Sequence, residues 1–513
     1  HAGDYTLEAR NASGWIQSAP ARLTVVSIPQ MASAPSFPVG VIGQWYAFSL
    51  ATDGVTSYSA TNLPRGLRLN AKTGEITGRP VVSGTFSVSV ILGNAAGRGA
   101  AQTSDLDIEP MPAGTVGTFT GALGRAPLLN DQLGGCVTIT ASSLGGYSTQ
   151  IKLGAVTHRA ASFLTIAPGS TQPSAVVSLP RPGRTPVTLA FTIQSTSGVL
   201  DGTVSDGVTT LPFLARLPVL TAAPFVGSYT FAFQPEFDRV GDVRVPQGYS
   251  FGGFSVNNKG MATGALRLAD DTPVTFAGPL ETGGHVTVLK LLYTNTGSLL
   301  GVLNVRSAAQ GDLRLSEVSW FKKAQPVKAK DLLYKAGFGP LDLDVVGRLA
   351  DLELTPINAL GLTPNPAGNT ALTFEQGGIA DPATRLNVNA VEIVAGTPSI
   401  ARMVSANPGA VQLTVLPSAA SAGGGGKATF KEFTVTKKTD KVGASRGQFT
   451  LVDVDSSTGT AITNTRQGTL LGTIVDDGSG PKLMGYFIVP QLPAPGTRLD
   501  KNTPRLSGAW RSN

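Results

Sequence analysis

Few side chains in this 513-residue sequence are suited to proton or group transfer. Histidine occurs three times, as His1, His158 and His285, and cysteine once, as Cys136. His158 stands in an extended Val156-Thr157-His158-Arg159 string, and His285 follows Gly283-Gly284 in a turn. Neither has a partner in a recognised motif, so both read as surface residues. A single thiol cannot form an internal disulfide and lacks the companions a metal needs, so Cys136 reads as a small buried side chain at a strand start. Carboxylates are sparse. Asp270-Asp271 precede Thr272-Pro273, where Asp side chains take the backbone amides of a turn. A glycosidase needs only two carboxylates about 5–10 Å apart, so that chemistry stays open.

The nearest approach to a metal motif is Asp453-Val454-Asp455-Ser456-Ser457-Thr458-Gly459, with Asp453 and Asp455 as candidate oxygen ligands. Its glycine falls one position late for a calcium loop and no glutamate closes it, so a hairpin turn explains the string equally well. Trp15, Trp45, Trp320 and Trp510 are candidate sugar-stacking platforms, but each lies in a different segment, as packing residues would. Asn11-Ala12-Ser13 fits a glycosylation acceptor and also a hairpin turn. The expectation is no catalytic residue, no cofactor and no metal.

The elements that would carry these residues are strands. Gly (62) and Pro (35) are abundant and charged residues make only 14%, against a typical ~25%. That composition fits a sheet-rich globular chain and excludes coiled coils and disulfide-dense miniproteins. The net charge of +7 gathers in Lys322, Lys323, Lys328 and Lys330 and in Lys427, Lys431, Lys437, Lys438 and Lys441. No nucleic-acid module or interleaved stacking aromatic accompanies these clusters, so they read as lysines guarding strand edges rather than a phosphate-binding face. Attraction to an acidic polysaccharide through the same field remains open. The most apolar stretch, 208–227, is broken by Pro212, Arg216, Pro218 and Pro224, so no transmembrane helix is expected.

Residues 1–27 read as two strands about a turn at Asn11-Ala12-Ser13-Gly14. They resemble the last strands of an Ig-like domain, with Tyr5 in the place of the tyrosine corner and Leu7 in place of the second cysteine. The opening His1-Ala2-Gly3-Asp4 resembles neither an initiator nor a leader, and suggests part of a longer precursor. In residues 31–110, Leu63-Pro64-Arg65-Gly66-Leu67, Asn70 before Thr73-Gly74, Thr77-Gly78-Arg79-Pro80 and Gly84-Thr85-Phe86 follow one another, with Phe86, Val88 and Val90 on one face. This series resembles the Ig-like, cadherin-related repeats of large bacterial surface proteins and implies a β-sandwich.

Residues 111–513 carry two recurring patterns. Gly145, Gly260 and Gly443 each precede an apolar residue at +6 (Ile151, Leu266, Phe449) and Leu at +8. Gly198, Gly297 and Gly468 each precede Leu at +2, Gly at +4 and an aliphatic at +6. All spacings are even, so one strand face is apolar, and the +4 glycine shares it to admit a bulky neighbour or a bend. These glycines lie inside strands rather than before helices, against a nucleotide-binding loop. The patterns divide the chain into β-rich units at 111–220, 221–325 and 326–513, the third with a candidate helix at Lys328–Lys335 and a Gly-rich linker near 422–426. Gly248-Tyr249, Trp320-Phe321-Lys322, Gly485–Pro490 and Leu506–Trp510 resemble a C-terminal β-region of exported bacterial proteins, which brings no catalytic residues with it.

The expected fold is therefore all-β: Ig-like sandwiches followed by antiparallel barrel or sandwich units with very little helix. The expected function is a non-enzymatic extracellular structural or adhesive protein of a bacterial surface, self-associating or meeting neighbouring surface proteins. The alternative is a secreted glycan-binding or glycan-active protein with Ig-like spacers.

Overall fold

Even-spaced apolar residues close the larger part of the chain into walls. The computed structural model describes residues 1–307, 311–313, 316–326, 332–351, 354–363, 365, 369–379, 445–455 and 457–513 in full, with the backbone alone of the strands at 388–393, 400–404, 412–415, 426–438 and 441–444. Among them α-helix is confined to the single turns Pro127–Asn130 and Pro356–Ala359, so the fold is all-β. The helix expected at Lys328–Lys335 does not form over Leu332–Lys335: Leu333 bridges Arg505 and Tyr334 takes a left-handed φ of 49°. Tyr334 is buried there and bonds Ser507, so a tertiary anchor replaces the helical turn. Residues 328–331 and the linker at 422–425 lie outside the described residues, and Gly426 opens a strand.

The N-terminal segment forms one interrupted hairpin. Gly3–Tyr5 pairs with Ala21–Leu23 and Glu8–Asn11 with Gly14–Gln17, and Asn11 Oδ1 takes the Ser13 amide at the turn. Tyr5 donates its hydroxyl to the His1 carbonyl (2.8 Å), the local bond expected of a tyrosine corner. In the sandwich that follows, Gly84–Asn94 pairs with Gln102–Glu109 and Ser57–Thr61, facing a sheet of Tyr46–Ser49, Glu75–Gly78 and Leu67–Leu69. Val88, Val90 and Ile76 are fully buried between them. The two turn motifs meet: a Cβ on Gly66 would lie 2.0 Å from the Arg79 carbonyl, and one on Gly78 2.1 Å from that of Gly66. Only glycine permits this backbone approach.

Two eight-stranded meanders and one of nine strands follow with related topology. The first runs from Gly117–Leu123 to Thr210–Arg216, the second from Gly227–Pro235 to Phe338–Leu349, the third from Thr370–Gln376 to Arg505–Ser512. In each, the first strand pairs with both the second and the last, curling the sheet into a barrel. The third closes fully through Ile400–Val404 on Gly426–Lys438. The first is joined at its seam by a Thr165–Ser174 bridge, and the second leaves Pro273–Pro279 and His285–Leu292 without a ladder between them. The second sheet thus extends past the boundary expected at 325, because its eighth strand lies beyond the lysine-rich connection. The recurring patterns also mark different places. The Gly-x-Leu-x-Gly string forms the next-to-last strand of the first barrel but the third from last of the other two. It records a local requirement of curled strands, not equivalent positions.

That requirement is space for a ring or for a closely approaching backbone. Leu200, Leu299 and Leu470 at +2 are buried in the three cores. A Cβ at +4 on Gly202 would lie 2.6 Å from the Phe213 ring, and one on Gly472 2.5 Å from Trp510; on Gly301 it would meet the backbone of Glu317 at 2.0 Å. Gly472→Ala is expected to destabilise the third barrel by about 1–3 kcal/mol through overpacking against Trp510, seen as a lower urea midpoint at unchanged m-value.

Candidate functional site

The barrels pack directly on one another, and the side chains with unusual chemistry lie at their junctions. Between the first and second barrels, the Arg125 guanidinium donates to Ser298 Oγ (2.5 Å), Ser319 Oγ (3.0 Å) and the carbonyls of Gln132 (2.9 Å) and Ser319 (2.9 Å). Desolvation lowers its pKa to about 10, partly offset by the Asp342 charge. Arg125→Ala strands those acceptors, and the expected result is about 2–4 kcal/mol lost at the junction, read as separate unfolding of the first barrel by calorimetry.

Beside Arg125 lies a cleft of about 1190 Å³, walled on one side by Asp201, Phe213 and Arg216 and on the other by Glu236, His285, Glu317, Asp342 and Asp344. Burial, then Asp342, Asp344 and Asp238, push the Glu236 carboxyl up. Five carboxylates thus gather in a chain of net positive charge, a grouping invisible in sequence because they come from both barrels.

A second cavity, of about 480 Å³, sits at the open seam of the second barrel against the outer wall of the first. Glu281 has no exposed surface, and neither carboxylate oxygen has a hydrogen-bond partner in good geometry. Desolvation raises its pKa to about 7, while Thr287 and Arg216 offset only part. Glu281 pairs through its backbone with His285, whose imidazole is lowered by burial and then by Arg216, with a buried, unpartnered Nδ1. His285 is therefore no ordinary surface residue. His158 is also half-buried, its Nδ1 3.2 Å from the Pro180 carbonyl. Cys136 is half-buried on the facing wall, and desolvation, with Glu281 second, raises its thiol to about 11. Glu281 escaped the sequence reading: in Pro279-Leu280-Glu281-Thr282-Gly283 it has the form of a turn residue, and no signal in that string marks it.

The other candidates disperse. Asp453 accepts two bonds from Arg466, Nε at 2.7 Å and an Nη at 3.2 Å, inside the third barrel. Asp455 takes the amides of Ser457 (2.9 Å) and Gly496 (2.6 Å), which hold its carboxyl below the usual range with Ser457 foremost. Asp453 and Asp455 therefore serve an ion pair and a turn, and among the described residues no three His, Cys, Asp or Glu side chains converge as metal ligands. Asp270 does take the Thr272 amide (3.1 Å), as a turn aspartate should, but it is also buried against Lys322 (3.7 Å) and accepts from Tyr293. Lys322 is thus a core residue rather than an edge guard: its Nζ donates to the Leu333 carbonyl (2.7 Å) and lies over the Tyr293 ring. Asp271 accepts from Tyr486 of the third barrel (2.7 Å). The side chains of Lys427, Lys431, Lys437, Lys438 and Lys441 lie outside the described residues.

Contrary to the expectation that the sequence holds no Gly-x-Ser-x-Gly nucleophile elbow, Gly443-Ala444-Ser445-Arg446-Gly447 has that spacing. It runs within the continuous strand Lys441–Asp455 and Ser445 is buried, so it lacks the strand–turn–helix context that exposes a serine. Trp320 and Trp510 are core residues. Trp45 is 64% exposed beside a hollow of about 440 Å³ where the sandwich meets the first barrel. There Gln44 bridges to Leu164 and Ile166, and Arg79 stacks on Phe163. No helix among the described residues is long and apolar enough to cross a membrane.

No curated protein matches the chain. Residues 28–109 match the family model named Putative Ig domain, so the segment whose turn motifs announced an Ig-like sandwich is similar to that family in sequence as well as in its two facing sheets.

Proposed function

We propose that the chain is a non-enzymatic structural or adhesive protein of a bacterial cell surface, a stiff extracellular stalk that meets copies of itself or neighbouring surface proteins. The observation that carries the reading is continuous packing from the sandwich through all three barrels. Gly43 and Gly145 bring the sandwich and first barrel into backbone contact, Arg125 bonds the first barrel to the second, and Phe251, Ala269, Tyr486 and Ile488 form an apolar cluster between second and third. Stiff, extended, weakly charged β-modules suit a spacer, and the Ig-like segment is compatible with that setting. The exposed hairpin at residues 1–23 offers unpaired strand edges for strand addition. Negative-stain microscopy with light scattering tests the reading: filaments, lattices or defined oligomers are expected, and monodisperse monomers at all concentrations would sink self-association.

A second reading, a glycan-binding protein with an Ig-like spacer, is favoured by Trp45. Its exposed indole beside a polar hollow could stack on a sugar ring. Oligosaccharide titration monitored by tryptophan fluorescence, with Trp45→Ala as control, separates the two.

A further inference from the structure

We propose that Lys322 and Asp270, buried inside the second barrel, condense to an intramolecular amide, so that the folded chain carries one covalent cross-link beyond its backbone. Both side chains are out of water, 0% and 1% exposed, with Nζ 3.7 Å from Oδ2. They reach that pocket from separate elements. Lys322 ends the strand Glu317–Lys322, and Asp270 sits in the turn between Met261–Arg267 and Pro273–Pro279. An ion pair so placed forfeits the hydration of both charges. Burial holds the Asp270 carboxyl above its usual range in spite of the Tyr293 hydroxyl and the Lys322 charge. Passing the ammonium proton to the carboxylate removes both charges and leaves an amine against a carboxylic acid, the two partners of an amide bond.

The surrounding groups suit that reaction. The Thr272 amide donates to Oδ1 (3.1 Å), placed to hold the oxyanion that forms when Nζ attacks Cγ. Tyr293 donates its hydroxyl to Oδ2, the oxygen that leaves, and Nζ lies 4.3 Å from the centre of the same ring. Trp320 Nε1 donates to that hydroxyl (3.0 Å) and fixes it, so Tyr293 is placed to relay a proton from nitrogen to the departing oxygen. The Nζ–Cγ bond forms and the Cγ–Oδ2 bond breaks. Oδ2 departs as water with two protons from the ammonium, and no oxidant or second reactant is needed. The proton kept on nitrogen already has an acceptor, the Leu333 carbonyl at 2.7 Å. Asp271 (φ 68°), Tyr293 (φ 52°) and Tyr334 (φ 49°) all take left-handed backbone, strain of the kind that collects where positioning matters. The link also has a mechanical use. Pro273–Pro279 and His285–Leu292 share no ladder, and Lys322 belongs to the third strand past that gap, so the amide ties the barrel together across its open seam. The chemistry involves the second barrel alone, so its failure leaves the readings above standing.

Intact-mass spectrometry of the full chain is the test. The wild type is expected one water, about 18 Da, below the mass of its sequence. A protease digest is expected to yield a branched peptide that joins the Lys322 and Asp270 segments. Lys322→Arg keeps the charge but cannot close, and is expected at full mass. Tyr293→Phe is expected to slow closure at least about a hundredfold, seen as full-mass chains in freshly folded protein. A wild type at full mass overturns the proposal whatever the variants do. So does a water lost within a linear peptide, or a deficit that persists in Lys322→Arg. Closure at the wild-type rate in Tyr293→Phe overturns the relay assigned to Tyr293.

Discussion

Asp453→Ala is expected to cost the third barrel about 3–5 kcal/mol, the largest loss of any single substitution considered for this chain. Asp453 and Arg466 come from neighbouring strands, Lys441–Asp455 and Ile462–Asp476, and form a two-pronged ion pair with side chains 9% and 1% exposed. Arg466 also donates to the Pro490 carbonyl (3.1 Å). Removing the carboxylate leaves a guanidinium where water cannot reach it, and that orphaned charge, more than the lost attraction, sets the cost. The double replacement Asp453→Leu with Arg466→Met should recover most of the stability, because no buried charge remains. Urea unfolding of the two variants distinguishes this from a general packing defect, in which the double variant would be worse than the single. Added calcium should leave the wild-type midpoint unmoved, since Asp453 and the Asp455 oxygens are already engaged.

Sequence could show the walls and not the junctions, and the reason is the range of the forces. Leu200 and Val204, or Phe449 and Leu451, reveal their burial because a strand places alternate residues on one face whatever it pairs with. The +4 glycines were legible as places needing room, though which ring would fill it depended on register, Phe213 opposite Gly202 but Trp510 beside Gly472. Repeat phase was misleading, because any curled strand that faces a ring or a close backbone selects a similar string. The junction residues carry no local mark. Arg125 meets Ser298 and Ser319 across more than 170 positions, and Lys322 resembles an edge lysine until Asp270 and Tyr293 close over it. Glu281 is extreme: its own strand leaves it at a turn, and the wall carrying Thr120, Cys136 and Lys152 removes its water.

That desolvation sets the second large expectation: Glu281→Gln stabilises the protein, and increasingly so as pH rises. The groups around this carboxyl are Arg216, Lys152 and Cys136 from the first barrel and His285, Thr287 and Lys290 from its own. Burial dominates them and lifts the folded pKa from the ordinary 4.5 to about 7. Between those values the folded chain keeps a proton that the unfolded chain has released. Stability from the protonated form is therefore complete below the unfolded pKa, declines as pH rises, and is lost above the folded pKa. Glutamine imitates the neutral acid at every pH. Variant and wild type should match near pH 4, whereas at pH 8 the variant should be more stable by about 3 kcal/mol, from the shift at about 1.36 kcal/mol per pH unit. Paired urea titrations at the two pH values measure the difference directly, with all other titrating groups cancelling. A gap that stays at zero would mean that Lys152 or Arg216 swings in to neutralise the carboxylate, and the cavity would then be closed by the protein's own charge.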